Sequence, residues 1–529
     1  METNTPIIVG VGQFMEAPDG PGYRALGPVD VAAEAARAAL EDAACGADDD
    51  TARAALDATG GTAALAAAID VVATTRTFAD TVAVLAPPFG TSNNFPRSIA
   101  KRVGISPRRA IWEDAGGNTP QDLVSEMCEL LHAGEAIAVL VAGGEAISTA
   151  RHLTAQQRHA DWSETVEGSV EDRLGDVAKM ISEAELRHRI YTVPPMYALA
   201  EHARRGRLRR GRAEYTEAMG RLFAPFTAVA AANPFASARR VCSPAELTTV
   251  TDRNRMIADP YPRMLVARDQ VNQGAAVVLT TVGVARELGI PESRWVYLRG
   301  YARAADRPLL DRADLGAYPA AELAGKAALR AAGIGSADVA CFDLYSCFPV
   351  AVSSVCDALA IAEDDPRGLT VTGGLPYFGG PGNDYSLHAV ASMVERLRAR
   401  PGSFGFVGAN GGILSKYSVG VYASAAAPFV RCDSGAIQAE LDARAGVPFT
   451  EQPSGRATVE TYTIVHGKDG RPAIGVVVAR LADGARCLAT TRKGDAETVA
   501  RLHGDADPLG ATVETSAGGE GPNSFVFAA

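Results

Sequence analysis

A pair of glycines at the start of a predicted helix is the first feature of this sequence that could take part in chemistry. Gly116 and Gly117 are followed by Asn118, Thr119 and Pro120. Asn118 or Thr119 can cap a helix, and Pro120 suits its first turn. The first backbone N–H groups of a helix lack partners within it, so they favour a carboxylate, a phosphate or a thiolate. The spacing therefore predicts a turn that can accept an anion.

An amphipathic helix and a buried strand follow this turn. Apolar side chains recur at helical spacing from Leu123 to Leu131, and Gly134 suits the end of that helix. The run at 136–142 is continuously apolar, as expected of a strand covered on both faces of a parallel sheet. A second glycine turn, Gly143-Gly144, closes the unit.

The same unit occurs a second time later in the chain. Gly379 and Gly380 open the copy, a helical run follows, and Asn410 precedes the closing turn. Two further pairs of segments agree. They are a helix at 28–44 with a strand at 69–74, and a helix at 319–332 with a strand at 339–344. This internal duplication indicates two related α/β halves.

Length and pattern divide the chain into several parts. A chain of 529 residues is too long for one hydrophobic core. We expect a first half at 1–285, which carries a helical insertion at about 151–250 and a polar peripheral segment at 47–62. A second half is expected at 286–430. At 431–529, short alternating runs separated by glycine turns predict an additional C-terminal domain, a small antiparallel β-barrel.

Composition and charge exclude several classes of function. The net charge of -11 argues against a general nucleic-acid binder. The sequence contains no stretch of 18 apolar residues, which argues against a membrane span. The N-terminus lacks the basic region that is typical of a signal peptide. The eight cysteines form no CxxC pair. They favour reduced, buried thiols in a cytoplasmic protein, and no metal site is predicted.

A cluster of arginines lies in the predicted insertion. Two interpretations are open: a helix and turn in solvent, or a contact surface for phosphates. The members of the cluster are Arg204, Arg205, Arg207, Arg209, Arg210 and Arg212.

Four segments together resemble a known family. Residues 141–148 read Val-Ala-Gly-Gly-Glu-Ala-Ile-Ser, and residues 272–276 read Asn-Gln-Gly-Ala-Ala. Residues 343–348 read Asp-Leu-Tyr-Ser-Cys-Phe, and 372–381 run from Thr-Gly-Gly to Gly-Gly-Pro. They are similar to signature segments of the thiolase superfamily. The closest resemblance is to the sterol-carrier-type thiolases and to the group called thiolase-like protein type 1.

The resemblance covers about residues 5–428 and carries expectations for fold and chemistry. It implies a five-layered αβαβα core of two duplicated halves, an insertion that holds coenzyme A in relatives, and the additional barrel of the type 1 group. The family's nucleophilic cysteine falls at Gly116 or Gly117, its general base histidine at Gly380, and its second cysteine near Asn410. Its thioester-oxygen ligand falls at Tyr345. Glycine can supply neither the thiolate nor the base that a Claisen condensation needs.

Polar groups beside these turns are the remaining candidates for the site. Three could act as substitute catalytic groups: Cys347 at a strand end, His388, which can pair with Asp384 one helical turn earlier, and Tyr417. Cys347 also has a structural interpretation as a buried thiol, and His388 as a helix contact. The predicted ligand pocket consists of Gly116, Gly117, Asn118, Tyr345, Ser346, Gly380, Asn383 and Asn410.

Two functions from different classes are open on this basis. In the first, the protein binds an acyl-CoA or a related acyl thioester, lacks thiolase activity, and offers its C-terminal domain to a protein partner. In the second, it is an acyltransferase of the acetyl-CoA acetyltransferase class with a non-standard catalytic set. In both, a coenzyme A thioester is the ligand or substrate and no cofactor is bound covalently. We expect a cytoplasmic protein of lipid metabolism without membrane or nucleic-acid partners.

Overall fold

Two β-sheets that face each other across a layer of helices form the core of the fold. A computed structural model of the chain describes residues 2–44, 61–81, 89–175 and 181–528. Cys45 and most of the predicted peripheral segment 47–62 lie outside these ranges.

The strands are numbered in chain order over the described residues. They are β1 Pro6–Met15, β2 Ile69–Thr75, β3 Arg109–Glu113, β4 Ala138–Ala146, β5 Glu171–Asp172, β6 Met256–Ala258, β7 Tyr261–Pro262, β8 Asn272–Thr281, β9 Tyr297–Ala305, β10 Val339–Leu344, β11 Phe404–Gly411, β12 Lys416–Ala423, β13 Ser454–His466, β14 Pro472–Leu481, β15 Arg486–Thr490, β16 Thr512–Ser516 and β17 Ser524–Phe527.

The α-helices are numbered in the same way. They are α1 Pro28–Ala44, α2 Gly61–Ala68, α3 Phe95–Arg102, α4 Thr119–His132, α5 Ile147–Ala155, α6 Glu183–Arg187, α7 Val193–Arg207, α8 Arg212–Ala232, α9 Pro244–Thr248, α10 Val282–Glu287, α11 Pro319–Ala331, α12 Pro349–Leu359, α13 Tyr385–Arg398, α14 Ser434–Asp442 and α15 Ala496–His503. Short 3₁₀ helices span Arg263–Leu265, Glu292–Arg294, Leu309–Asp311 and Ser336–Asp338.

The two sheets repeat one pattern of strand pairing. The first has the strand order β1-β8-β4-β2-β3-β5, and the second has β10-β11-β12-β9. Strand β2 pairs in parallel with β4, which pairs antiparallel with β8, and β8 pairs antiparallel with β1. Strands β10, β11, β12 and β9 repeat these three pairings in the same order. The predicted duplication is therefore confirmed.

The helices supply the other three layers of the predicted αβαβα fold. Helices α4 and α13 contact each other and both sheets, so they form the middle layer. Helix α1 covers the outer face of the first sheet, and α11 covers that of the second. Apolar residues on the inner face of α4, such as Leu123 and Met127, are fully buried because both sheets pack on this helix. No α-helix among the described residues meets the length and hydropathy expected of a transmembrane helix.

Helix α1 packs closely against the first sheet over most of its length. Only Arg37 and Glu41 of α1 are exposed. The helix backbone packs directly on strand glycines, because a Cβ added at Gly10 would lie 2.9 Å from the Cβ of Ala43. In the second half, a Cβ added at Gly300 would lie 3.1 Å from the carbonyl carbon of Ala328 in α11. Alanine on the helix and glycine on the strand permit this close approach in both halves.

The C-terminal domain is a closed five-stranded barrel, as predicted. Strand β13 pairs with β14 and β16, β14 with β15, and β16 with β17, all antiparallel. One parallel bridge from Thr490 to Ser524 joins β15 to β17 and closes the ring. The barrel core contains Tyr462, Val477 and Phe525, all nearly inaccessible to solvent. Strands β6 and β7, which follow the insertion, extend the same sheet through the pair Val465 and Ala258.

The two most buried arginines of the insertion cluster, Arg204 and Arg205, are neither in solvent nor available to phosphates. Arg204 donates to Asp357 (2.8 Å) and Glu363 (2.8 Å), and Arg205 donates to Asp507 (2.6 Å). Both arginine side chains are almost fully buried. Because their acidic partners lie in the second half and in the C-terminal domain, these ion pairs fix the insertion and the barrel to the core.

Candidate ligand site at the tips of the central helices

The tip of helix α4 carries the first predicted turn. Asn118 occupies the N-cap position with φ -78° and ψ -23°, and its side chain makes no capping hydrogen bond. Gly116 and Gly117 are partly exposed. Among the described residues, the backbone N–H groups of these two glycines and of Asn118 donate no hydrogen bond. The tip therefore keeps three free donors that point away from the helix.

The phenol of Tyr345 occupies the space above this tip. A Cβ added at Gly117 would overlap the phenol oxygen, and it would lie 2.5 Å from Tyr345 Cζ and 2.6 Å from the backbone oxygen of Asn410. Tyr345 follows strand β10 and is itself buried, and this burial raises the pKa of its phenol. A protonated hydroxyl thus takes the place that a side chain on residue 117 would need.

Cys347 lies in a network of neutral side chains next to Tyr345. Asn410 donates its amide to Cys347 Sγ (3.5 Å) and to Tyr197 Oη (2.7 Å), and Tyr318 donates its hydroxyl to Asn410 Oδ1 (2.6 Å). Burial raises the pKa of the Cys347 thiol to about 12, although the hydrogen bonds from Tyr197 and Asn410 act in the opposite direction. The thiol is therefore protonated at neutral pH.

The tip of helix α13 is closed by its own polar groups. Gly380 donates its N–H to the oxygen of Arg268 (2.7 Å), and Asn383 donates its amide to the oxygen of Arg76 (2.8 Å). Ser346 Oγ accepts from Leu375 N (3.2 Å) and so holds the loop that precedes helix α13. These contacts use the backbone N–H of Gly380 and the side-chain amide of Asn383.

Two buried carboxyl groups complete the second tip. Asp384, at the N-cap, accepts from Ala275 N (3.1 Å), and burial raises the pKa of Asp384 well above its usual range. Glu145 accepts from Phe78 N (2.6 Å), and burial raises the pKa of Glu145 to about 8. Gly382 has φ +54°, and a Cβ there would lie 2.8 Å from Glu145 Cδ. Burial thus favours the protonated form of both groups, and Glu145 lies against the glycine turn.

His388 and Asp384, which can pair according to the sequence, lie at the outer limit of an ion-pair distance. His388 Nε2 lies 3.9 Å from Asp384 Oδ2, while Nδ1 lies 2.8 Å from Gln13 Oε1. His388 is fully buried, and burial lowers the pKa of its imidazole to about 3. The ring is thus neutral, and its contacts are with core side chains of both halves.

Tyr417 is a core side chain in a third location. Its hydroxyl is buried and has no hydrogen-bond partner among the described residues, and burial raises its pKa. The ring packs edge-on against Tyr318 at 5.3 Å. No hydrogen bond that the described residues make joins Tyr417, His388 and Cys347 to one another. The geometry brings Cys347 to Asn410 and Tyr345 to Gly117, but it does not assemble the three catalytic candidates.

Several polar residues of this region had no clear signal in the sequence. Tyr197 comes from an insertion helix and Tyr318 from the turn before α11, so no local pattern links them to Cys347. Glu145 had a partial signal, because it directly follows the glycine pair that ends the first unit. Among the parts of the chain that the structure describes, no group of three or more potential ligands could hold a metal ion.

Exposed arginines lie on the loops around the second tip. The backbone of Arg268 contacts Leu375 and Gly380, and the residues just before Arg239 contact the backbone of Tyr377 and Phe378. Arg239, Arg263 and Arg268 are exposed, and none of the three has an ion pair with a residue that the structure describes. The rim of the site therefore carries uncompensated positive charge in a protein with a net charge of -11.

Two comparisons identify the family once this geometry is known. Residues 436–520 match the model described as "Thiolase-like protein type 1 additional C-terminal domain". The crystal structure of a monomeric SCP2-thiolase like protein type 1 from Mycobacterium smegmatis is 44% identical over 100% of both chains, with a TM-score of 0.82. The chain belongs to the SCP2-thiolase-like protein type 1 family. Both the core and the barrel of this family are thus present here.

More distant structures resemble this type 1 chain in fold alone. An Ltp2-ChsH2(DUF35) aldolase is 16% identical, with 80% of this chain and 99% of that chain covered and a TM-score of 0.56. Acetyl-CoA acetyltransferase from Syntrophomonas wolfei is 16% identical, with 80% and 100% covered and a TM-score of 0.54. A search of curated proteins gave no match.

Proposed function

We propose that this type 1 thiolase-like protein binds an acyl-CoA or a related acyl thioester at the tip of helix α4 and does not condense it. The observation that carries the proposal is the phenol of Tyr345 above Gly117, in the space where an attacking side chain would have to lie. A donor hydroxyl and three free backbone N–H groups can hold a carbonyl oxygen, but they cannot attack it.

The chemistry of the neighbouring groups supports the absence of condensation. A thiolase-type reaction needs a thiolate and a base within hydrogen-bonding reach. Cys347 is protonated at neutral pH because burial raises its pKa to about 12. The imidazole of His388 is engaged with Gln13 in the core. Neither group is thus prepared for proton abstraction or nucleophilic attack.

The charge around the site supports an anionic ligand. Coenzyme A thioesters carry phosphate groups, and unpaired arginines bind phosphate through charge-assisted hydrogen bonds. Arg239, Arg263 and Arg268 are exposed, and the backbone of Arg268 contacts Gly380 in the glycine turn of the second tip. A ligand with its thioester at Gly117 can extend its phosphates toward this rim.

Calorimetry with acetyl-CoA and an assay of acetoacetyl-CoA thiolysis test the proposal together. We expect saturable binding without turnover. The double variant Arg263→Glu/Arg268→Glu should weaken binding at least tenfold, whereas Arg330→Glu, an exposed arginine on α11, should leave it unchanged. Turnover at a rate typical of thiolases, or binding that is equal in all three proteins, would overturn the proposal.

The alternative is an acyltransferase with Cys347, His388 or Tyr417 as catalytic groups. One observation favours it: the amide of Asn410 points at Cys347 Sγ, where it would stabilise a thiolate. Intact-protein mass spectrometry after incubation with acetyl-CoA distinguishes the two functions. An acetyl adduct that maps to Cys347 and is absent from Cys347→Ser would support the transferase.

We extend the proposal to the protein's assembly and location. The two-residue strand β5 pairs with edge strand β3 through Ile111 with Glu171 and Trp112 with Asp172. A covered edge disfavours sheet extension by a second subunit, and the related protein from Mycobacterium smegmatis is described as monomeric. We therefore propose a cytoplasmic monomer without nucleic-acid or membrane partners, whose barrel is open to a protein partner.

A further inference from the structure

A groove at the opposite end of the second half combines apolar walls with unpaired arginines. It consists of two adjoining cavities of about 500 Å³ and about 320 Å³, which share Val371 and Arg396. Val229, Ala340 and Pro366 line the larger cavity. Ala340 lies near the start of β10, whereas Tyr345 follows the end of that six-residue strand. The groove is therefore separate from the proposed thioester site.

One wall of the groove is held rigidly in place. Asp343 Oδ2 accepts from Thr370 Oγ1 (2.9 Å), Val371 N (2.9 Å) and Thr372 N (3.2 Å). Asn233, at the end of helix α8, donates its amide to the oxygen of Thr372 (3.0 Å). A buried carboxyl group with three donors fixes the backbone of this wall, so the groove exists without a ligand.

The charge of the groove comes from Arg396, in the last turn of α13, and Arg400, two residues beyond its end. Arg396 and Arg400 are four residues apart and exposed, and neither has an ion pair with any residue in the described ranges. Arg396, Arg400 and Cys341 line the same cavity. The pair therefore faces the cavity and lacks a counter-ion.

Other polar groups of the groove are already satisfied or are donors. Arg367 pairs with Asp365 (2.6 Å) and donates to the oxygen of Val339 (2.8 Å), so it is structural. Ser392 is 6% exposed and accepts from Gln13 Nε2 (3.2 Å), while its own O–H donates to no described residue. Glu395 is the acidic lining group; burial raises its pKa, and Arg398 and Arg294 oppose this shift. The free groups therefore favour an acceptor.

We propose that this groove binds a fatty carboxylate. The carboxylate lies between Arg396 and Arg400, and the alkyl chain follows Val371 and Val229 into the apolar part of the larger cavity. Arginine matches a carboxylate with parallel charge-assisted hydrogen bonds. Burial of the alkyl chain adds affinity in proportion to its apolar area, so headgroup and chain contribute independently.

Isothermal titration calorimetry of the full chain with three probes tests this proposal. The probes are dodecanoate below its micellar concentration, dodecyltrimethylammonium with the same chain and opposite charge, and acetate with the same headgroup. We expect one saturable site for dodecanoate and at least tenfold weaker binding of the other two. Absence of saturable dodecanoate binding, or equal binding of dodecyltrimethylammonium or acetate, would overturn the proposal.

Two variants separate the headgroup from the chain. Arg396→Glu/Arg400→Glu should weaken dodecanoate binding at least tenfold, and it should fold normally because both side chains are exposed and unpaired in the described structure. Val229→Glu, which adds a carboxylate to the half-buried apolar wall, should have a similar effect. Arg330→Glu is the matched control on another helix. Unchanged dodecanoate affinity in the double arginine variant and in Val229→Glu, or an equal loss in the control, contradicts the proposal. Acetyl-CoA binding should be the same in all of these variants.

Discussion

The two halves begin their central helices with similar glycine turns, but the two tips serve different purposes. At the first tip, Gly116 and Gly117 are partly exposed and their N–H groups are free among the described residues. At the second, Gly380 and Asn383 donate to backbone oxygens, and the N-cap Asp384 accepts from strand β8. One copy of the duplicated turn is therefore open to a ligand and the other is closed.

The closed tip contributes to the joint between the halves. Asn383 and Asp384 belong to the second half, whereas their partners Arg76 and Ala275 belong to the first. Ser386 also donates to the oxygen of Gly117 (2.8 Å), which places the open tip directly beside the closed one. The comparison teaches that one copy of a duplicated helix start can keep free donors while the other becomes a structural joint.

The largest expected effect is on the structural joint. In Gly143→Ala the added methyl group would lie 2.5 Å from Asp384 Cγ and 2.7 Å from Thr75 Oγ1. Neither neighbour can move freely, so we expect a loss of about 3 kcal/mol or more in unfolding free energy, measured by urea denaturation. Gly211→Ala is the matched control, because a Cβ there has no described heavy atom within 4 Å. A loss below about 1 kcal/mol for Gly143→Ala would mean that the second tip is pliable.

A second test uses the pH dependence of the closed tip. Burial raises the pKa of Glu145 to about 8, above its ordinary value of 4.5. The folded state therefore binds this proton more tightly, so stability from Glu145 is full below about pH 4.5 and is lost as pH rises through about 8. Glu145→Gln stays neutral, so it should gain on the order of a few kcal/mol relative to wild type between pH 5 and pH 9.

Urea unfolding at both pH values measures this difference. Glu217→Gln is the control, because Glu217 is an exposed partner of Arg221 on helix α8. A constant difference between wild type and Glu145→Gln across this pH range would show that Glu145 is not protonated in the fold.

The first tip can be tested through the contact between Tyr345 and Gly117. Gly117→Ala should cost about 2 kcal/mol by overlap with Tyr345, and Tyr345→Ala about 3 kcal/mol by leaving a cavity. The double variant should cost about 1 kcal/mol less than the sum, because removal of the phenol relieves one clash. The relief is partial, since the backbone oxygen of Asn410 also lies 2.6 Å from the added Cβ. Additive losses in a double-mutant cycle would rule out direct competition between the two side chains.

Local patterns predicted the elements of the fold well. Strand β10 spans Val339–Leu344 and helix α1 spans Pro28–Ala44, as their hydrophobic periodicity indicated. The spacing of Asp384 and His388 also predicted their proximity, because a helix fixes side chains four residues apart. Properties that depend on a few neighbouring residues are thus accessible from sequence.

Contacts between distant parts of the chain were not predictable in the same way. The local sequence around Arg204 and Arg205 indicates solvated side chains. Their partners are Asp357 and Asp507, which lie 153 and 302 positions away. The position of Tyr345 above Gly117 likewise depends on how two sheets meet across the middle layer. The site roles of Cys347 and Tyr417 stay predictions, because burial decides their chemistry and burial follows from packing.

The smallest expected effect sharpens the contrast between the tips. Asn118 occupies the N-cap position of α4, but its side chain makes no capping hydrogen bond. Its Oδ1 has no hydrogen-bond partner among the described residues. Asn118→Ala should therefore cost less than about 0.5 kcal/mol, against about 1 kcal/mol for a capping residue that bonds to the helix. Ser243→Ala is the control, since Ser243 forms a complete capping box at the start of α9. Equal losses in urea denaturation would mean that the donors of the open tip are satisfied by Asn118, which would remove them from the ligand site.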